Sequence, residues 1–531
     1  MTGAPTRPAS PLSIPIFRAF WIAMVFSNIG TYAHDVAVGW VMTGLTTSPV
    51  LVTSIQVAAT LPIFLLGVPA GALADIVNRR LLILRTQLFM LAVCVALAAL
   101  TFFQLLNPWI ILGATALLGI ATALAMPGMQ ATIPDLVPGS ALPGALALSS
   151  SSINISRAVG PALAAFVLGI AGPGVVFLFN ALSFVGIITV LSAWKPAAPI
   201  TTLPPESLFG ALKVGFRYAR YSATFRAVLW RVAFFVLPAS GLWALMPLFS
   251  RVRLGASPTE YGLLMAALGA GALLGVALLP RVRRLCSQQA ISVLGALGFG
   301  AGAAALSFLR EPLFAGAVLL IAGVCWLLAM TTLNLSAQTE LPTWVRARGL
   351  GANLMAFSGS MALGGLLWGG LAEWTGSHLS LRAAGGATVL LGLAGLAIPL
   401  RQPAPESLAS TNTWPDPPAG RHVALDQGPV LVTVEYHVDA SERGAFLAAI
   451  SQLRLSRLRE GAYRWSVHES VEPAGRFFES FELESWADHL RQHERVSKAD
   501  AEVEQRVDAF NRGDGPPLVR HYVASQLPRE S

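Results

Sequence analysis

The sequence is short of charge, and most of its length is nearly empty of acid. Only 12% of its 531 residues are charged; residues 1 to 400 hold 8 Asp/Glu against 21 Lys/Arg, which leaves 20 and 15 for residues 401 to 531. With 54% hydrophobic residues and a mean hydropathy of +0.62, the chain is more apolar than a soluble core of this size requires. That excludes an ordinary soluble protein and points to an integral membrane protein followed by a segment built for water. The basic balance lies beside the apolar segments, where membrane-flanking Arg belongs, and no basic tail is present, so nucleic acid is not an expected partner. Cysteine is scarce as well. Cys94, Cys286 and Cys325 fall in or beside apolar segments without metal-ligand spacing, which argues against a disulfide framework and reads as packing. The start, "MTGAPTRPASPLSIPIFRAF", lacks a short apolar core followed by a small-residue cleavage site, so the first helix is expected to be retained.

What is present in quantity is long apolar runs. A bilayer core about 30 Å thick needs about 20 apolar residues per helix. Cutting at polar, Pro and Gly breaks gives twelve spans, at 18–43, 49–73, 81–104, 108–128, 146–169, 174–194, 226–250, 260–280, 289–308, 312–333, 349–371 and 380–400. Arg7, Arg18, Arg79, Arg80, Arg85, Lys195, Lys213, Arg217, Arg220, Arg226, Arg281, Arg283, Arg284, Arg346 and Arg348 fall on one side, against Arg251, Arg253, Arg310 and Arg382 on the other. Loops rich in Lys and Arg stay in the cytoplasm, so both termini are expected there, in a bacterial-type inner membrane.

An internal repeat divides the spans in two. Phe17 recurs as Phe225, Gly67 as Gly275, and "QATIPDLV" from Gln130 as "QTELPTWV" from Gln338, all 208 residues apart. The expected fold is therefore an all-α bundle of two six-helix halves, 1–194 and 226–400, joined by a basic cytoplasmic linker at 195–225. Parallel halves that bind a substrate between them near the midplane are a transporter architecture.

Two charges lie deep inside spans. Asp35, in "GTYAHDVAVGW", sits mid-helix at an insertion cost of about 2.5–3.5 kcal/mol, so it belongs on the bundle interior or a water-filled cavity, where it is the candidate for binding and releasing a proton. A solvated or structurally paired acid near the outer mouth is the other reading. His34 points about 100° away and is a weaker, polar lining candidate. Arg157, in "SSSINISRAVGPALAAF", must also face protein or cavity, where it recognises an anionic group or pairs with an acid. Gly160 and Pro161 follow it, loosening the helix and permitting close packing. Arg231 lies shallowly in the seventh span and reads as a snorkelling anchor.

The loop "GALADIVNRR", Gly71 to Arg80, supplies a gate. Gly71 permits close helix approach, Asp75 can face the positive N-terminal end of a neighbouring helix, and Arg79 and Arg80 hold the cytoplasmic side. The loop resembles the Gly-x-x-x-Asp-x-x-x-Arg-Arg signature of the major facilitator superfamily, and the twelve spans carry that likeness over residues 15–400. "GTYAHDVAVGWVMTGLTTSP", "LPIFLLGVPAGALAD" and "RAVGPALAAFVLG" are similar to the branch of enterobactin and macrolide exporters. The resemblance implies export of a small amphipathic substrate, driven by the proton gradient without a cofactor, and a gate partner near Gly351 and Asn353. It also implies an Arg in the fourth span, yet "TALLGIATALAMPG" holds no charge.

Residues 401–428 read as a Pro-rich linker to a small soluble domain at 429–531. Strand, helix, hairpin, two helices and strand follow one another: "PVLVTVEYHV", "SERGAFLAAISQLRLSRLRE", a hairpin turning at Pro473–Gly475, helices from Ser485 to about Phe510, and "VRHYVA". This βαββαβ order suggests a ferredoxin-like sheet with one open face, and the segment resembles dimeric α/β-barrel modules of the antibiotic-biosynthesis monooxygenase type. A large bare apolar face would need a second copy or an apolar ligand, so a homodimer through this domain is expected. His489 and His493 have i, i+4 spacing, but no third ligand stands near them, so a solvated helical face is the expectation and no metal is assigned. No catalytic nucleophile–base pair stands out and no enzyme is expected. An importer of the same fold, or a membrane-tethered sensing or enzymatic tail, are the competing functions.

Overall fold

Proline and small polar residues set where the helices begin. The computed structural model describes residues 10–194, 208–342, 344–400, 411 and 423–525, without the side chains of 68, 72, 74–76, 208–212 and 494. Arg7, Lys195, residues 195–207 of the first linker, most of the Pro-rich linker and the Asp75 side chain thus lie outside the described residues. Proline occupies the first helical turn of α1 (Pro15–Leu45), α2 (Pro49–Ile76), α4 (Pro108–Leu136), α6 (Pro173–Ala193) and α9 (Pro258–Leu285), where its missing N–H costs no hydrogen bond. Ser48, Asn78, Asn107, Ser257 and Ser287 cap α2, α3 (Arg79–Phe102), α4, α9 and α10 (Gln288–Leu306), each accepting from the amide three residues on. The remaining long helices are α5 (Leu142–Ile170), α8 (Ala223–Val252), α11 (Pro312–Thr339), α12 (Arg346–Thr375) and α13 (Ser377–Ala394), with the short α7 (Leu208–Tyr221) before α8.

Among the described residues, eleven helices are long and apolar enough to cross a membrane, one fewer than the twelve expected. The missing one is α1. It has ample length at 31 residues, but Arg18, Asn28, His34 and Asp35 dilute its apolar run. Arg231 also departs from expectation. It is buried, and donates to Gln289 Oε1 at 2.6 Å, Ser292 Oγ at 2.9 Å and the Gly395 and Ile398 carbonyls at 3.0 and 3.1 Å. It satisfies orphan carbonyls at the end of α13 instead of reaching for head groups.

Contacts divide the chain into two compact units. The first comprises Met1–Leu208, Leu229–Asn334 and Asn353–Leu400; the second comprises Phe209–Val228, Leu335–Ala352 and Arg401–Ser531. In the second unit, β1 (Val430–His437), β2 (Arg464–Glu469), β3 (Arg476–Leu483) and β4 (Leu518–Val523) form an antiparallel sheet in the order β2-β3-β1-β4. Gly475 turns the β2–β3 hairpin at φ +83°, a conformation that favours glycine. Alternation puts Val430, Val432, Val434 and Tyr436 with Phe477, Phe481 and Leu483 on the buried face, against Phe446, Ile450 and Leu453 of α14 (Arg443–Glu460). Two more helices, α15 (Trp486–Arg495) and α16 (Lys498–Asp508), connect β3 to β4.

The other face is not the bare apolar surface expected. Register places Thr433, Glu435, Ser480, Glu482 and Arg520 between Leu431, Phe478 and Tyr522, so polar groups break up the apolar ones. The same unit holds α7 and the α11–α12 connector. Arg217 donates to the Gly461 carbonyl at 2.6 Å, the Tyr218 hydroxyl to the Glu340 carbonyl at 3.0 Å, and the Arg495 guanidinium lies 5.0 Å from the Trp344 ring centroid.

Candidate functional site

Asn28, Tyr32 and Asp35 recur at intervals of four and three along α1, so they share one helix face. That face meets α5. Asn28 Nδ2 donates to Ser152 Oγ at 3.3 Å, and Arg157 donates to the Tyr32 hydroxyl at 3.5 Å with its guanidinium 5.9 Å from the ring centroid. The two helices approach closely because position 160 is glycine: a Cβ there would stand 2.6 Å from Tyr32 Cβ and 2.9 Å from the Ile29 carbonyl. Gly160 and Pro161 are both buried in α5.

Asp35 is exposed on this face, although its neighbours His34 and Val36 are buried. Among the described residues no salt bridge reaches Asp35 or Arg157. Asp35 and Tyr32 thus share one face of α1, and Arg157 reaches that face through Tyr32 without forming an ion pair with Asp35. His34 is elsewhere: it is buried, with its ring 5.0 Å from that of Phe177.

Of the gate residues, Arg79 and Arg80 bind helix ends, and the Asp75 side chain lies outside the described residues. Arg79 donates to Asp135 Oδ2 at 2.9 Å and to the Ala131 carbonyl at 3.0 Å, tying α3 to the end of α4. Arg80 donates to the Leu191 and Ser192 carbonyls, both at 2.6 Å, and so satisfies the end of α6. Asn353 donates to Asn334 Oδ1 at 3.2 Å, and among the described residues nothing stands within 4 Å of a Cβ built on Gly71.

Two acids escaped the sequence reading. Asp135 pairs with Arg79 from 56 residues away, beyond any local spacing rule. Glu373, at the end of α12, accepts from Ser48 Oγ at 3.1 Å and from the Val50 amide at 3.4 Å, where a carboxylate suits the positive start of α2. At that same end of the bundle, Cβ atoms on Gly39 and Gly262 would stand 3.0 Å from the Tyr261 hydroxyl and 2.5 Å from Ala165 Cβ, and Trp40 stacks on Tyr261 at 5.7 Å.

Known proteins share this architecture. The nucleoside transporter NupG aligns with 72% of this chain and 99% of its own at a TM-score of 0.59 and 12% identity. A bacterial homologue of the human lysosomal transporter Spinster aligns with 75% and 97% at a TM-score of 0.55 and 15% identity. In sequence, the staphyloferrin A transporter of Staphylococcus aureus is 24% identical over 66% of this chain and 88% of its own length. The multidrug efflux pump Tap of Mycolicibacterium fortuitum is 24% identical over 73% and 96%. The profile of the transmembrane secretion effector family matches residues 6–529, so the chain belongs to that family of major facilitator transporters and is a multi-pass membrane transporter, not an enzyme.

Proposed function

We propose that the protein is a proton-coupled exporter of small amphipathic molecules, of drug or siderophore type, working by alternating access. The observation that carries this reading is Asp35, without an ion pair among the described residues and exposed on the polar face of a bundle helix that also carries Tyr32, the partner of Arg157. An acid in that position binds and releases a proton, while Arg157 recognises an anionic group on the substrate. The names of the relatives, a siderophore transporter and an efflux pump, favour export of this substrate class.

In this reading α1 is the twelfth span, α1–α6 and α8–α13 are the two halves, and both termini lie in the cytoplasm of a bacterial-type inner membrane. Matched caps support the halves: Ser48 and Ser257 start α2 and α9, Asn78 and Ser287 start α3 and α10, and each pair is 209 residues apart. The tight approaches at Gly39 and Gly262 and the Glu373 link close the outer side, and the space beside Gly71 belongs to an open inner side. The gate then closes on Gly71 and Asp75, with Arg79 and Arg80 fixing the ends of α4 and α6. The tail has a ferredoxin-like topology, and its mixed open face does not require a second copy.

The test is a substrate-accumulation assay in cells with and without the protein, with an uncoupler as control. Export predicts lower accumulation with the protein, abolished by uncoupler and by Asp35→Asn at equal membrane insertion. A proton crossing 100 mV supplies about 2.3 kcal/mol, so losing it collapses the gradient instead of trimming it. Full uncoupler-sensitive extrusion by Asp35→Asn would sink the coupling role, and accumulation that rises with expression would establish the importer.

A further inference from the structure

The tail contains a cluster of histidines that the transport reading does not use. His489 and His493 lie one turn apart on α15, and His521 comes from β4, twenty-eight residues further on. One ring nitrogen from each falls within 4.8 Å of the others. The Nε2 atoms of His489 and His493 are 3.3 Å apart. Two imidazoles bound to one tetrahedral metal at about 2.0–2.1 Å would hold their nitrogens ~3.3 Å apart, so this pair already has a ligand-to-ligand edge. The geometry points to a binding site for one divalent first-row transition metal, held by His489, His493 and His521 with a fourth position open.

Three features beyond proximity support it. His489 is fully buried, and its Nδ1 makes no hydrogen bond among the described residues. Gln492, three residues on and also buried, has an Oε1 that likewise makes no hydrogen bond among the described residues. Trp486 packs on two of the rings, 5.2 Å from His489 and 6.2 Å from His521, and walls one side with an apolar surface.

Three neutral imidazoles without thiolate or carboxylate suit Zn²⁺, Co²⁺, Ni²⁺, Cu²⁺ or Fe²⁺ and disfavour Mg²⁺ and Ca²⁺. The solvated helical face expected from the i, i+4 pair is replaced by a cluster because β4 delivers a third ring to α15. A bound metal pins α15 to β4, and α15 ends at Arg495, which covers Trp344 of the α11–α12 connector.

The experiment uses the full chain, purified in detergent, stripped with a chelator and titrated with Co²⁺. One Co²⁺ per chain, with the intense visible absorption of tetrahedral coordination and displacement by Zn²⁺, is the expected result. His493 and His521 are only partly buried, so His493→Gln and His521→Gln retain the metal-free fold, and each weakens binding at least about tenfold. His468→Gln, at an exposed position on β2, binds as the parent does. Three simply packed core histidines would give no intense band, or binding indifferent to His493→Gln and His521→Gln. Either result overturns the site.

Discussion

A single methyl group tests the polar strip. At Gly160 a Cβ would press on Tyr32 Cβ and on a backbone carbonyl of α1, and backbone cannot rotate away. Gly160→Ala is expected to destabilise the bundle by about 1–3 kcal/mol, the usual cost of overpacking, and to lower the melting temperature in detergent. The same change at Gly71, where nothing among the described residues stands within 4 Å, is expected to leave melting unchanged. Equal melting temperatures for the two variants would mean that α1 and α5 do not pack as described. Residue type alone made Asp35 and Arg157 legible, because a charge inside an apolar run has few explanations. It did not give their surroundings: Tyr32 follows from no local rule, since its partner Arg157 lies on another helix 125 residues away. Asp135 and Glu373 were illegible for the same reason. Each sits at a helix end where an acid looks like an ordinary surface residue, and only the packing of distant helices gives it a partner.

At the scale of elements, period and punctuation were readable. Alternation marks β1 and β3, and Ser485 caps α15 by accepting from the Asp488 amide. Among the described residues eleven of the twelve expected spans are long and apolar enough to cross a membrane, and α1 falls short by composition because polar residues interrupt its apolar run. Buried charge in the tail was not readable. Glu479, in the middle of β3, accepts from Tyr436 at 3.2 Å, Trp465 at 2.9 Å and Arg457 at 3.2 Å, while Glu460 ends α14 within the same interior. Burial, with Asp500 beside it, pushes the Glu460 carboxyl up to about 8 from an ordinary 4.5. The folded state therefore holds a proton that the unfolded chain releases above about 4.5, so this contribution is complete below pH 4.5 and lost as pH rises through 8. His489, held at about 3, acts in the opposite sense and only below 6.5; Asp508, raised to about 6, titrates mostly below that pH too. Between pH 6.5 and 8 the fall in tail stability belongs chiefly to Glu460. Urea midpoints of the tail read by pulse proteolysis should drop across that window in the parent and stay flat in Glu460→Gln. A parallel drop in both would assign the loss to another group.

For the whole molecule, the tail is best understood through what shares its compact unit. The staphyloferrin A transporter and Tap align over 88% and 96% of their own length with only 66% and 73% of this chain, so these transporters are about a quarter shorter, whereas the family profile continues to residue 529. The tail is then an addition to a working bundle. It packs with α7, which leads into α8, and with the connector between α11 and α12, through Arg217 on Gly461, Arg459 near the Tyr218 ring and Arg495 on Trp344. Those connectors must change shape if the bundle alternates, and a folded domain bonded to both raises the cost of doing so. Truncation after Leu400 is accordingly expected to leave substrate affinity within about twofold while raising the turnover rate. Trp344→Ala, which removes the ring under Arg495, should move turnover the same way by a smaller factor. A cation–aromatic contact with a buried Arg is worth about 0.5–2 kcal/mol, or roughly two- to thirtyfold in rate if it is broken before the rate-limiting step. Binding and initial-rate measurements on the three proteins in liposomes separate the two quantities. A truncated protein with parental turnover would show that the tail does not restrain the connectors, and one that no longer binds substrate would place the tail in the binding machinery instead.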